Sequence, residues 1–210
     1  MRSWLVAAVI LIAAAGTAPP EPDGFRDDDY RSATPLTFNG HAALDTAAAE
    51  HLWKSGEALF VDTLPRPPRP AGLPEGTIWR PKPRDDIPGS IWLPDTGYGV
   101  LAPVMQEYFR SGLAAATQKD RQKRLVFYCL ADCWMSWNAA KRAQALGYIN
   151  VEWYRDGTDG WQASGLPLEP RTPVPRPGSL RRRSGRSLAS SLRCRSLADR
   201  KSFRSAMKRR

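Results

Sequence analysis

Only two histidines and three cysteines occur in these 210 residues. His41 and His51 lie far from Cys129 and Cys133 in the chain, so a four-ligand zinc site has little support, and no cofactor is implied. Long apolar runs are equally scarce. The longest, Trp4 to Ala15, is too short for a comfortable bilayer span, follows Arg2, and gives way to Gly16, Thr17 and Ala18. That order predicts a cleaved export signal over Met1–Ala18, with an uncleaved N-terminal anchor as the alternative. Either places the protein in the periplasm or outside the cell, where disulfides persist.

A net charge of +10 invites a nucleic-acid reading, but the charge is local. Twelve basic residues against Asp199 give the segment from Gly178 to Arg210 a charge of +11, which leaves −1 for the first 177 residues. The body is nearly neutral. A basic tail on an exported protein offers contact with an anionic membrane surface, and no nucleic-acid partner is expected. Its Arg/Ser-rich composition predicts disorder, and Cys194 lies inside it.

The rest of the chain holds enough apolar residues, 42% overall, for one domain with a core. Residues 19–44 read as an extended lead-in with little packing. Asp45 or Thr46 caps a helix whose Ala49, Leu52 and Trp53 share a face and which Gly56 stops. Ala58–Val61 is a short buried strand that delivers Asp62 to its carboxyl end. There Asp62 either caps a neighbouring turn or supports a site. Thr63 to Gly89 contains eight prolines, which exclude a regular helix and leave at most edge-strand pairing. This long loop is either a lid, with Trp79 and the basic residues Arg66, Arg69, Arg80, Lys82 and Arg84, or a solvated insertion.

Ser90–Leu93 is strand-like, and Pro103 suits the first turn of a helix with Met105, Tyr108, Phe109 and Leu113 at helical spacing. Leu125–Tyr128 is apolar and stops at Cys129, and a helix begins near Ser136. Asn150–Tyr154 is a further strand, followed by a turn and a short helix at Trp161. Pro167–Pro177, with five prolines, closes the domain. Strands alternating with helices imply an α/β fold with a parallel sheet covered on both faces. Ligands bind such sheets beyond the carboxyl ends of the strands, where Asp62 and Cys129 both fall.

A thiol between a strand and a helix N-terminus faces unpaired amides that favour a thiolate. Cys129 and Cys133 are therefore the candidate catalytic residues, one as nucleophile and one as resolving thiol. Asp62, Asp132, Trp134, Ser136 and Trp137 are the candidate binding or supporting residues. Trp134, Trp137, Trp153 and Trp161 belong either to the core or to an apolar recognition surface.

Val126 to Pro167, with Phe127-Tyr128-Cys129, Leu146-Gly147-Tyr148, Asp156-Gly157, Gly160-Trp161 and Gly165-Leu166-Pro167, resembles the second half of a rhodanese-like domain. Ala58–Asp62 and Pro88-Gly89-Ser90-Ile91 resemble that family's aspartate-ending strand and its PGA[IV] turn. The resemblance runs over about residues 45–170, and it leaves 171–210 as a Pro-rich and then Arg/Ser-rich tail. DCWMSWNAAKRA and WYRDGTDGW are similar to the exported group named for a CxxCW motif and associated with PQQ-dependent catabolism, although three residues separate the cysteines here. The resemblance implies a single domain with about five parallel strands, a Cys129 able to carry a persulfide, and as partners a periplasmic PQQ-dependent dehydrogenase or a thiol or sulfane-sulfur donor. It leaves open sulfur transfer or thiol–disulfide exchange on one side, and a non-catalytic binding or maturation module on the other. Leu130–Met135 has no Lys or Arg and holds Asp132, which argues against a thiosulfate-like donor.

Overall fold

The computed structural model describes residues 18–68, 70–80 and 83–176. The expected export signal, apart from Ala18, lies outside the described residues, as do the basic segment from Gly178 and Cys194.

The elements run β1 (Thr37–Phe38), β2 (His41–Ala42), α1 (Thr46–Ser55), β3 (Ala58–Asp62), β4 (Arg84–Asp86) and β5 (Ile91–Trp92), then α2 (Pro103–Ala116), β6 (Arg124–Tyr128), α3 (Trp134–Ala145), β7 (Val151–Trp153), α4 (Gly157–Ala163) and β8 (Glu169–Arg171). Local chemistry accounts for the helix ends. Asp45 accepts the Ala48 N–H at 2.8 Å, and Gly56 takes the left-handed conformation (φ 68°) that terminates α1. Pro103 occupies the first turn of α2, where its missing N–H costs nothing.

A four-stranded parallel sheet in the order β5-β3-β6-β7 is the frame. The expectation of about five strands is corrected to four. A further parallel pairing beyond β7 is a single bridge, Leu44 with Tyr154, because Asp45 turns the chain into α1 at once. Two antiparallel pairs stand apart from this sheet, β1 with β2 and β4 with β8. The second ties the end of the proline-rich stretch to the domain as edge pairing.

The pleat sorts the strand residues between two apolar clusters. Val61, Leu125, Phe127, Val151 and Trp153 meet Tyr108, Phe109 and Leu113 of α2 and Trp137, Ala140 and Ala143 of α3. Phe60, Val126, Tyr128 and Tyr154 meet Ala49 and Leu52 of α1 and Trp161 of α4. Three layers result, with the carboxyl ends of β3 and β6 side by side.

Packing extends past both expected domain limits. The lead-in, expected to be extended and little packed, instead carries β1 and β2 with the buried Phe38, and it is fastened to the domain: Trp134 and Asn138 donate to carbonyls of Ala33 and Arg26. Beyond β8, Val174 N–H donates to the Trp92 carbonyl at 2.9 Å.

Candidate functional site

β6 is buried along nearly its whole length and ends at Tyr128, so the next residue, Cys129, emerges at the rim between the two layers of helices. Leu130, Ala131 and Asp132 make the turn. Asp132 sits at φ 48°, a left-handed corner that aspartate tolerates better than most residues. Cys133 is extended and caps α3, which begins at Trp134, two residues before the position expected from sequence. A disulfide joins Cys129 to Cys133 across a Cα separation of 6.3 Å. Cys129 is fully buried and Cys133 is 1% exposed. Met135 packs against them, with Tyr30, Leu64, Tyr98 and Leu130 around the edge.

The expectation of a thiolate cupped by amides is corrected for this oxidised state. Among the described residues no hydrogen bond to either sulfur is formed. The amides nearest the turn serve oxygens instead: Ala131 N–H donates to Asp159 Oδ2 at 3.1 Å and Trp134 N–H to the Tyr30 carbonyl at 3.0 Å. A disulfide sulfur carries no charge, so amides gain more from a carboxylate or a carbonyl.

On the other face of the sheet lies a charged cluster. Alternation along β3 puts Phe60 and Asp62 toward α1 and α4, while Cys129 follows Leu125 and Phe127 toward α2 and α3. Asp62 is fully buried, and its Oδ2 accepts the Arg84 Nε–H at 2.8 Å while Oδ1 accepts the Leu64 N–H at 2.8 Å. Asp62 thus both caps the turn after β3 and anchors a cation. Asp86 Oδ1 lies 3.0 Å from the same Nε. That nitrogen has one proton, which goes to Asp62, and no other donor among the described residues reaches either Asp86 oxygen. Burial first, and then the neighbouring Asp62 charge, push the Asp86 carboxyl up to about 9, so near neutrality it is protonated and shares that proton with Asp62. Burial opposes the charge on Arg84, but the two acids outweigh it and hold the guanidinium above its ordinary value. Tyr128, in register with Asp62, donates to Ser90 Oγ at 2.9 Å, and its hydroxyl is pushed well up by burial and by the two acids.

Arg84 connects this cluster to the cysteine. Its Nη2 donates to Thr158 Oγ1 at 3.1 Å, and Thr158 N–H donates to the Cys129 carbonyl at 3.0 Å. Gly157, at φ 53°, lies so close to that carbonyl that a side chain there would collide with it. In the sequence Arg84 is one of the basic residues of a loop that is either a lid or a solvated insertion. In the fold it is 14% exposed and part of the site's foundation. Its only sequence signal was the pair of aspartates that follows it, Asp85 and Asp86, just ahead of the Pro88-Gly89 turn.

The other candidates divide. Ser136 Oγ donates to the Cys133 carbonyl at 3.2 Å and accepts the Trp153 indole N–H at 3.0 Å, so it pins the start of α3. Asp132 is exposed. Trp134, Trp137, Trp153 and Trp161 are at most 2% exposed. Trp137, Trp153 and Trp161 are core, not a recognition surface, and edge-to-face contacts such as Trp134 with Trp137 and Trp53 with Trp161 take up their rings, whereas Trp134 turns its indole N–H to the Ala33 carbonyl of the lead-in. Within the proline-rich loop, Trp79 lines an open cavity of about 470 Å³ with Arg66, Pro67, Pro68, Asp95 and Arg176.

Residues 80–164 match the family model of the rhodanese-like domain. Among solved structures the chain is similar to a thiosulfate sulfurtransferase from Pseudomonas aeruginosa, at 19% identity and a TM-score of 0.41, over 62% of this chain and 20% of that one. A rhodanese-like domain of an Anabaena protein is 16% identical with a TM-score of 0.41, over 63% and 85% of the two chains. A human single-domain sulfurtransferase is 21% identical with a TM-score of 0.36, over 58% and 95%. The chain thus spans a fifth of the Pseudomonas enzyme's length. No curated protein matches it.

Proposed function

We propose, from the match of residues 80–164 to the rhodanese-like domain model, that Cys129 and Cys133 are a redox pair that performs thiol–disulfide exchange and, once reduced, accepts sulfane sulfur. The observation that supports this is their disulfide, closed within one loop between β6 and α3. So short a loop limits the stabilisation from chain entropy to about 2 kcal/mol, which keeps the bond within reach of biological reductants.

Reduction proceeds by attack of a donor thiolate on one sulfur, which expels the other as a thiolate and leaves a mixed disulfide. A second donor thiol attacks that bond, and the donor leaves as a disulfide, two electrons poorer. In the reduced pair, a Cys129 thiolate at the amino end of α3 takes a sulfur atom from a persulfide donor and releases the donor thiolate. Cys133 then attacks the Cys129 sulfur, restores the disulfide, and expels hydrosulfide after uptake of one proton. Asp62, Arg84 and Thr158 hold the Cys129 backbone throughout.

This chemistry takes place outside the cytoplasm, in support of PQQ-dependent alcohol oxidation. Support for that setting comes from the sequence pattern of Met1–Ala18 and from the resemblance to the CxxCW group. A binding or maturation module for a quinoprotein dehydrogenase, with the disulfide as an inert crosslink, draws its support from the burial of both sulfurs.

Alkylation trapping followed by mass spectrometry, over a series of defined redox buffers, separates the two. The redox reading expects a pair that is partly reduced above about −300 mV and a persulfide on Cys129 after incubation with donor. A disulfide that stays closed below that potential, with no sulfur uptake by the chemically reduced protein, would leave only the crosslink.

A further inference from the structure

We propose that the face of α3 above the disulfide is a groove that binds an extended polypeptide through its main chain, and that the chain's own segment 22–33 fills it until a thiol-bearing partner segment displaces it. The inference deepens the redox reading given above by naming the class of partner.

Three side chains one stripe apart on α3, Trp134, Asn138 and Lys141, read the segment. Asn138 Oδ1 accepts the Arg26 N–H at 2.9 Å while its Nδ2 donates to the Arg26 carbonyl at 2.7 Å. One amide thus satisfies both polar groups of one residue's backbone. Lys141 Nζ donates to the carbonyls of Pro22 and Asp23 at 2.9 and 2.5 Å. The Trp134 indole donates to the Ala33 carbonyl at 3.1 Å, and its own backbone N–H to that of Tyr30 at 3.0 Å. These contacts address peptide groups, which every polypeptide has, and they specify almost nothing about side chains.

What covers and what is covered differ sharply. No residue from Ala18 to Ala33 is buried, whereas Cys129 and Asn138 are fully so and Cys133 and Trp134 nearly so. A segment without a buried side chain contributes little apolar stabilisation and opens at low free energy relative to the core. Its principal side-chain contact with the site is Tyr30, which packs edge-on to Tyr98 at 5.4 Å, against the disulfide cluster. Arg26 stacks over Trp134 at 5.4 Å. Displacing the segment frees the first amide of α3 from the Tyr30 carbonyl, and this is the amide that a thiolate or an incoming carbonyl would then use.

The test follows reduction of the disulfide in the full chain by a small phosphine, with alkylation and mass readout. Tyr30→Ala should speed reduction at least about tenfold. A synthetic peptide with the sequence of residues 20–34, added in trans to Tyr30→Ala, should restore protection. Lys141→Ala should weaken that rescue, while replacing the peptide's Asp27 and Asp28 by alanine should not. A core variant, Leu113→Ala, controls for loss of global stability. Reduction no faster in Tyr30→Ala than in wild type would overturn the proposal, as would equal acceleration in Leu113→Ala at matched stability loss, or a peptide that protects neither form. Faster reduction and peptide rescue, in a protein that shows no exchange or sulfur uptake, would uphold the groove while removing the redox reading.

Discussion

Replacing Asp86 with asparagine should make the protein more stable, and increasingly so as pH rises. Asp86 is fully buried, the single Nε proton of Arg84 goes to Asp62, and the carboxyl is pushed up to about 9, against 3.8 in an ordinary setting. The raised value fixes the sign. Stability from this group is complete below the unfolded-state value, and it is lost steadily through the window between the two, because the folded form must hold a proton that the unfolded form has released. The slope is about 1.4 kcal/mol per pH unit. The amide of Asp86→Asn would keep the shape and donate to Asp62 as the protonated acid does, yet it cannot ionise. By pH 7 the variant should lead by up to about 4 kcal/mol, less any cost of fitting the amide. Urea unfolding of both proteins at pH 5, 6, 7 and 8, with the disulfide intact, measures the difference directly. Parallel stability profiles, or a wild-type advantage that grows with pH, would refute the protonated-acid assignment.

Arg84→Met should cost about 3–5 kcal/mol, since it leaves Asp62 buried without its cation, and by releasing Thr158 it should also shift the midpoint potential of the cysteine pair; a stability loss with an unmoved potential would mean that the link to Cys129 is idle. Gly157→Ala should cost about 1–3 kcal/mol from its positive φ and its clash with the Cys129 carbonyl, and thermal unfolding together with the rate of disulfide reduction would register both effects. Asp45→Ala removes the α1 cap and should cost about 1 kcal/mol in denaturant unfolding while the redox potential stays put, because α1 touches neither sulfur.

Features that depend on a few neighbouring residues were legible in the chain alone. Asp45 and Gly56 bracket α1, Pro103 opens α2, and the apolar run before Cys129 is a central strand. Each of these rests on backbone geometry and periodicity inside one element, where the physics is short-ranged. Misreadings fell where long-range packing decides. Trp137, Trp153 and Trp161 have the composition of a binding surface, but the sheet and helix layers bury them. Leu44 reaches the sheet for one bridge only, because the cap that follows it turns the chain.

What the sequence by itself determined is the order of the four parallel strands and the four helices and the placing of Cys129 at a strand's carboxyl end, since alternation, caps and prolines act within a few residues. Only the tertiary structure decided what surrounds that cysteine. Arg84 reaches Asp62 from 22 positions away and Thr158 from 74, and the polypeptide over the disulfide is held to Asn138 from 112 positions away. Buried charge must find a partner wherever the fold supplies one, and that choice is made in space, after the chain has closed on itself.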